Sequence, residues 1–163
     1  MMPEDKIAHE KAMILFEQAY RRQMNGELAD AIVLYQQSLE AYPTAEAFTF
    51  LGWTYSMLGR VETAIEMCQK AIEIDPDYGN AYNDIGAYLM ELGQWEEAIP
   101  WLEKATTAVR YEAPQYPYMN LGRAYQHIGR YRTALQHYDK ALEIDPLYLP
   151  ATWAKMALLG KMN

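Results

Sequence analysis

A sequence grammar that returns about every 34 residues constrains this chain more than any other feature. Three stretches carry it: LGWTYSMLGRVETAIEMCQKAIEIDP at 51–76, IGAYLMELGQWEEAIPWLEKA at 85–105 and LGRAYQHIGRYRTALQHYDKALEIDP at 121–146. Each runs from a small residue and an aromatic or leucine through a glycine turn to an alanine-anchored segment, and a looser copy precedes them. Alanine landmarks at Ala31, Ala64, Ala98 and Ala134 are 33, 34 and 36 residues apart. The long last interval places about two extra residues within VRYEAPQYP, residues 109–117, where the stack is expected to bend or loosen.

The local chemistry within each copy is helical. Gly52, Gly86 and Gly122 sit mid-helix, where glycine costs roughly 1 kcal/mol against alanine, so a neighbouring helix is expected to pass too close for a side chain. Gly26, Gly59, Gly93 and Gly129 follow seven residues on or at the equivalent place and fit the left-handed position after a helix. Asp75-Pro76 and Asp145-Pro146 end helices, because proline pushes the residue before it out of the α region. The pattern predicts nine helices, over about 4–24, 27–41, 44–58, 61–74, 79–92, 95–108, 116–128, 131–144 and 149–160, with a mild kink at Pro100. No stretch alternates apolar and polar residues as a strand would.

This grammar resembles the tetratricopeptide repeat family, whose signature runs W-x2-L-G-x2-Y, then A-x3-F, then P. The second copy matches through Phe48, Leu51, Gly52, Tyr55, Ala64, Cys68, Ala71 and Pro76. The third matches through Tyr82, Ile85, Gly86, Leu89, Ala98, Leu102 and Ala105, and the fourth through Tyr118, Leu121, Gly122, Tyr125, Ala134, Tyr138, Ala141 and Pro146. The first copy is looser, through Leu15, Ala19, Ala31, Tyr35, Ser38 and Pro43. The resemblance covers nearly the whole chain and implies an all-α, right-handed superhelical solenoid in one domain. Its repeats would span about 12–44, 45–78, 79–112 and 115–148, with an extension at 1–11 and a capping helix at 149–160. It also implies an adaptor or chaperone-like scaffold that binds a peptide or helix of a partner protein in its concave groove.

Composition narrows the function. The net charge of -8 argues against nucleic acid as a partner, since phosphate binding needs clustered cations. That total hides an asymmetry: residues 1–109 hold 7 Lys/Arg against 18 Asp/Glu, and residues 110–163 hold 7 against 4. No window is apolar enough to insert in a membrane, and the start, MMPEDKIAHEKAM, has no apolar core of a secretory signal, so the expected location is cytoplasmic. The single Cys68 stands where the signature has an aromatic facing the next helix, which suits a small buried hydrophobe better than a reactive thiol. His9, His127 and His137 are scattered without metal spacing, and the glycines form neither a dinucleotide nor a phosphate loop. No cofactor or metal is expected, and the chain is not expected to be an enzyme; an unrecognised groove site is the remote alternative.

The first helix of each hairpin should line the concave face, with side chains one helical turn apart projecting inward. This gives Phe16 and Tyr20, then Thr49, Phe50, Trp53 and Met57, then Asn83 and Asp84, then Tyr116, Met119, Asn120, Arg123 and His127. The early half is aromatic and methionine-rich, a pliable apolar anchor site, and the later half is polar, with asparagines that could bond an extended peptide backbone. For Phe16, Tyr20 and Trp53, plain packing between adjacent helices stands beside the groove reading. The carboxylate clamp of co-chaperone members would need Lys and Asn at Phe16 and Tyr20, Asn at Phe50, and Lys and Arg at Asn80 and Asp84, and none match. In the last helix Trp153, Met156, Leu158 and Leu159 spread over more surface than one neighbour covers. They mark an interface with a partner or a second copy, or a plain cap. Head-to-tail self-assembly of the acidic and basic ends is therefore the alternative function.

Overall fold

The computed structural model describes residues 1–163 and consists of nine α-helices without a strand. They are α1 (Pro3–Met24), α2 (Leu28–Ala41), α3 (Ala45–Met57), α4 (Val61–Ile74), α5 (Gly79–Glu91), α6 (Trp95–Thr106), α7 (Gln115–His127), α8 (Tyr131–Ile144) and α9 (Leu149–Met162). The expected boundaries hold to within about two residues, and α6 runs unbroken through Pro100. Residues 3–11 form the first turns of α1, as the expected helix over 4–24 requires.

Helices pair as α1/α2, α3/α4, α5/α6 and α7/α8, and each pair stacks on the next, with α9 lying against α8. Odd-numbered helices also touch one another in succession, so they form one wall of the solenoid and the even-numbered helices the other. The turns inside the hairpins are alike. At Gly59 the backbone enters the left-handed region (φ 75°), Arg60 N–H donates to the Tyr55 carbonyl at 3.0 Å, and Gly59 N–H donates to that of Ser56 at 2.9 Å. These bonds satisfy carbonyls that the helix end would leave bare, and a side chain at φ near +75° would be strained.

The alanine landmarks Ala31, Ala64, Ala98 and Ala134 are fully buried and let the paired helices approach closely. Opposite them stands the mid-helix glycine. A Cβ on Gly86 would collide with Leu102, and one on Gly122 with the ring of Tyr138, so a side chain at either position must displace its neighbour. Where the facing residue is tyrosine, its hydroxyl has a built partner: Tyr35 donates to Gln23 and Tyr138 to Gln126, each at 2.7 Å. Where it is Leu102, the place three residues before the turn glycine is taken by the apolar, buried Met90. Cys68 is also fully buried, and burial pushes its thiol pKa well up, so it stays protonated and inert.

The junction that carries the two extra residues is tied rather than loosened. Arg110 N–H donates to the Asp77 carbonyl and the Arg110 carbonyl accepts from Gly79 N–H, both at 3.0 Å, a short parallel bridge between consecutive loops. The Arg110 guanidinium lies 4.4 Å from the Tyr78 ring centre and reaches Glu46 at 2.6 Å and Asp75 at 2.8 Å. Gly79 makes room for this, because a Cβ there would lie 2.8 Å from the Cβ atoms of Ala108 and Tyr111.

Candidate functional site

On the wall of odd-numbered helices an open pocket of about 390 Å³ lies between α3, α5 and the chain entering α7. Helical periodicity builds two of its sides. Thr49, Trp53 and Ser56 follow one another by about one turn on α3, and Asn80, Asp84 and Tyr88 do so on α5. Phe50 and Asn83 flank these stripes, and the tied junction closes the pocket with Tyr111 and Tyr116.

Of the residues expected in the groove, the pocket brings together Thr49, Phe50, Trp53, Asn83, Asp84 and Tyr116. Sequence reasoning named Asn80 only as a mismatch to the co-chaperone clamp, and it missed Ser56, Tyr88 and Tyr111. The first two lie one turn beyond Trp53 and Asp84 and could have been found by extending each stripe. Tyr111 had no such signal beyond the long interval itself.

Phe16 and Tyr20 connect to the pocket through an edge-to-face row. Phe16 and Phe50 have ring centres 5.1 Å apart, Tyr20 and Phe50 5.8 Å, and Phe50 and Trp53 5.8 Å. Such geometry contributes about 0.5–1.5 kcal/mol per pair beyond area burial, so these rings hold α1 to α3 while Trp53 stays 38% exposed. Packing and groove lining therefore coexist in this row.

The polar residues are arranged differently from the expectation. Asn120 donates its amide to the Asn83 carbonyl oxygen at 3.0 Å, so the two asparagines bond each other instead of both facing a guest. Arg123 makes a long 3.5 Å contact to Asn120 from the exposed rim. The Thr49 hydroxyl donates to the Ala45 carbonyl of its own helix at 2.8 Å, which leaves it a wall rather than a free donor. Asp84 keeps some accessible surface in the pocket, yet protein surrounds it closely enough that burial raises its pKa to about 7, against a smaller opposing pull from the Asn83 amide. None of the ion pairs in the chain includes it.

Three expected groove residues lie elsewhere. Met57 is exposed by the turn, where its sulfur accepts from Gln23 at 3.5 Å, and Met119 packs toward the core formed by Ala134, Tyr138 and Leu158. His127 stacks on Trp95 of α6 with ring centres 4.0 Å apart, away from the pocket. In α9, Trp153 and Met156 are 64% and 66% exposed and Leu159 is partly so, but Leu158 is fully buried against α8. Leu158 is thus core, a correction to its place among the interface residues: it is the side of α9 that repeat packing consumes.

Stacked helical hairpins with an inner wall bearing a mixed aromatic and polar pocket define a repeat scaffold of the protein-interaction class. The tetratricopeptide repeat pattern matches residues 45–78 and again 77–146, and the chain belongs to the tetratricopeptide repeat family. It is 27% identical to TPR repeat-containing protein YpiA of Bacillus subtilis over 84% of this chain, and spans about a third (32%) of that relative's length. It is 30% identical to photosystem I assembly protein Ycf3 of Prochlorococcus marinus, over 68% of this chain and 72% of that one. Among solved structures, PilF of Pseudomonas aeruginosa superposes with a TM-score of 0.89 at 22% identity, over 95% of this chain and 70% of that one. YrrB, a TPR protein with an unusual peptide-binding site, gives 0.72 at 22% identity, over 89% and 74%. These two show the fold alone. No helix is long and apolar enough to cross a membrane.

Proposed function

We propose that this chain is an adaptor that holds an extended or helical segment of a partner protein in its concave groove and performs no chemistry of its own. The observation that carries the reading is the pocket on the inner wall, where Trp53 and Tyr116 stay exposed although rings and amides surround them. Exposed aromatic residues beside a cleft are the usual anchors of protein recognition. The peptide-binding site for which YrrB is described and the assembly role for which Ycf3 is named support a partner of protein nature. The partner is not nucleic acid, because the net charge is -8 and the pocket holds no cation.

The test is affinity capture of partners from the source cell by wild type and by the double variant Trp53→Ala/Arg123→Glu, with helical circular dichroism confirming that both are folded. Loss of capture in the double variant is expected. Equal capture by both proteins removes the groove as the binding surface.

A second reading, self-assembly through the chain ends, rests on α9, whose Trp153 and Met156 no element of this chain covers. The acidic early part and mildly basic late part favour a head-to-tail contact over a symmetric one.

A further inference from the structure

The pocket around Asp84 combines features that a peptide groove does not require. Its only charged lining residue is one carboxylate, and four of its other walls are Trp53, Tyr88, Tyr111 and Tyr116. A carboxylate partly taken out of water without a cation is costly, and no lysine, arginine or histidine pairs with Asp84. An aromatic lining carries negative ring faces, which attract cations and repel anions. The surroundings add to this, since residues 1–109, which supply most of the pocket, hold 18 acidic against 7 basic residues.

We propose that this pocket receives a basic side chain of the bound partner, with the ammonium or guanidinium group of one lysine or arginine set against the Asp84 carboxylate and among the Trp53, Tyr88, Tyr111 and Tyr116 rings. The assignment rests on the adaptor reading and names the chemistry of its guest. An acidic side chain or a terminal carboxylate meets repulsion from Asp84 and finds no lysine, arginine or histidine in the lining to compensate. A neutral apolar side chain fills the space but leaves the carboxylate without a counter-charge. Only a cation relieves the site on both counts. Asn80, also in the lining, supplies a polar group for the partner's backbone beside that cation.

Ionisation of Asp84 should gate the interaction. The titratable groups around it are Tyr78 and Tyr88, Tyr111 from the junction and Cys68 from α4; burial pushes all four up, so none changes charge near neutrality. Beyond Tyr78 lies Arg110, already paired with Glu46 and Asp75.

The probes are capped pentapeptides Gly-Ser-X-Ser-Gly with X as lysine, arginine, norleucine or glutamate, together with n-butylammonium, followed by amide chemical-shift titration of the full chain. Lysine and arginine peptides are expected to shift resonances at Trp53, Tyr88 and Tyr111 saturably, and to bind about tenfold more tightly at pH 8 than at pH 6. Asp84→Asn, which keeps the shape of the side chain, is expected to weaken them at least tenfold and abolish that pH dependence. Norleucine binding as tightly as lysine, glutamate binding more tightly, or unchanged affinity in Asp84→Asn overturns the proposal. Butylammonium binding as tightly as the lysine peptide assigns the pocket to a free amine and overturns the partner reading of it. If Trp53→Ala/Arg123→Glu still loses partner capture while the peptides show no charge preference, the adaptor role stands and only the cation assignment falls.

Discussion

Tyr138 donates its hydroxyl hydrogen to Gln126 at 2.7 Å across the last hairpin, and Tyr35 and Gln23 repeat the pair at the same distance in the first. In the third hairpin the same two places hold the apolar Leu102 and Met90, and in the second Cys68 and Ser56, so the hydroxyl–amide pair is confined to the first and last hairpins. Gln126→Met is expected to cost about 1–3 kcal/mol, because it leaves a largely buried hydroxyl without its acceptor. The double variant Tyr138→Leu/Gln126→Met should recover most of that loss. Urea unfolding of the two singles and the double measures the coupling, and simple additivity would show that the pairing has no energetic meaning.

Gly122→Ala gains helix propensity worth roughly 1 kcal/mol but sets a methyl into the Tyr138 ring. The clash should win, with a net loss of about 2 kcal/mol, since a packed ring has no free direction in which to move. Thermal unfolding of Gly122→Ala against wild type decides it: a melting temperature at or above that of wild type would mean that the Tyr138 ring moves aside at little cost.

Asp84 sets a pH dependence of stability. Its pKa is raised in the fold to about 7, whereas an unfolded chain holds it near about 3.9. The folded state therefore binds this proton more tightly, and the stability it confers is complete below about pH 4 and is lost as the pH rises to about 7. Asp84→Asn should remove that loss, making the variant more stable than wild type by on the order of 2 kcal/mol at pH 8, with no advantage at pH 4. Unfolding midpoints measured at both pH values decide it; a variant less stable at pH 8 would mean that Asp84 is held by favourable partners.

Arg110→Ala removes two half-exposed ion pairs and a stack on Tyr78, together worth roughly 1 kcal/mol, so the melting temperature should fall by about 3 °C. The larger effect belongs to the pocket: with only the backbone bridge left to tie the junction, Tyr111 is held less firmly and partner affinity should drop several-fold. Val109→Ala, a neighbouring change at an exposed side chain, should alter neither quantity.

If the ends of the chain associate, light scattering should show a mass that grows with concentration, shrinks at high salt and returns to monomer in Trp153→Ala/Met156→Ala. A monomer at every concentration and salt excludes the self-assembly reading.

The fold was legible in the sequence because its determinants are local and repeated. A turn glycine seven residues past a mid-helix glycine, and an alanine five residues further, state the hairpin within one copy. The pocket-facing stripes of α3 and α5 were partly legible, because they obey the 3.6-residue period, whereas Met57, Met119 and His127 lie elsewhere. What escaped depends on contacts between distant copies. The two extra residues at 109–117 suggested a loosened joint, whereas Arg110 finds partners at Glu46 and Asp75 that no local pattern links to it. The mutual bond of Asn83 and Asn120 is likewise set by how neighbouring hairpins align. In α9, apolar residues occur all around the helix, so periodicity could not tell that Leu158 turns inward while Leu159 does not.

The reach of Arg110 to Glu46, 64 residues back, bears on how the molecule comes apart. A solenoid in which each unit touches only its neighbours can unzip from whichever end is weaker. Here a single guanidinium ties the exit of the third hairpin to the entrance of the second, an ion-paired tie that the first and fourth hairpins lack. Hydrogen exchange should then slow together across α3 to α6, which places the carboxylate of Asp84 inside the last part of the chain to open.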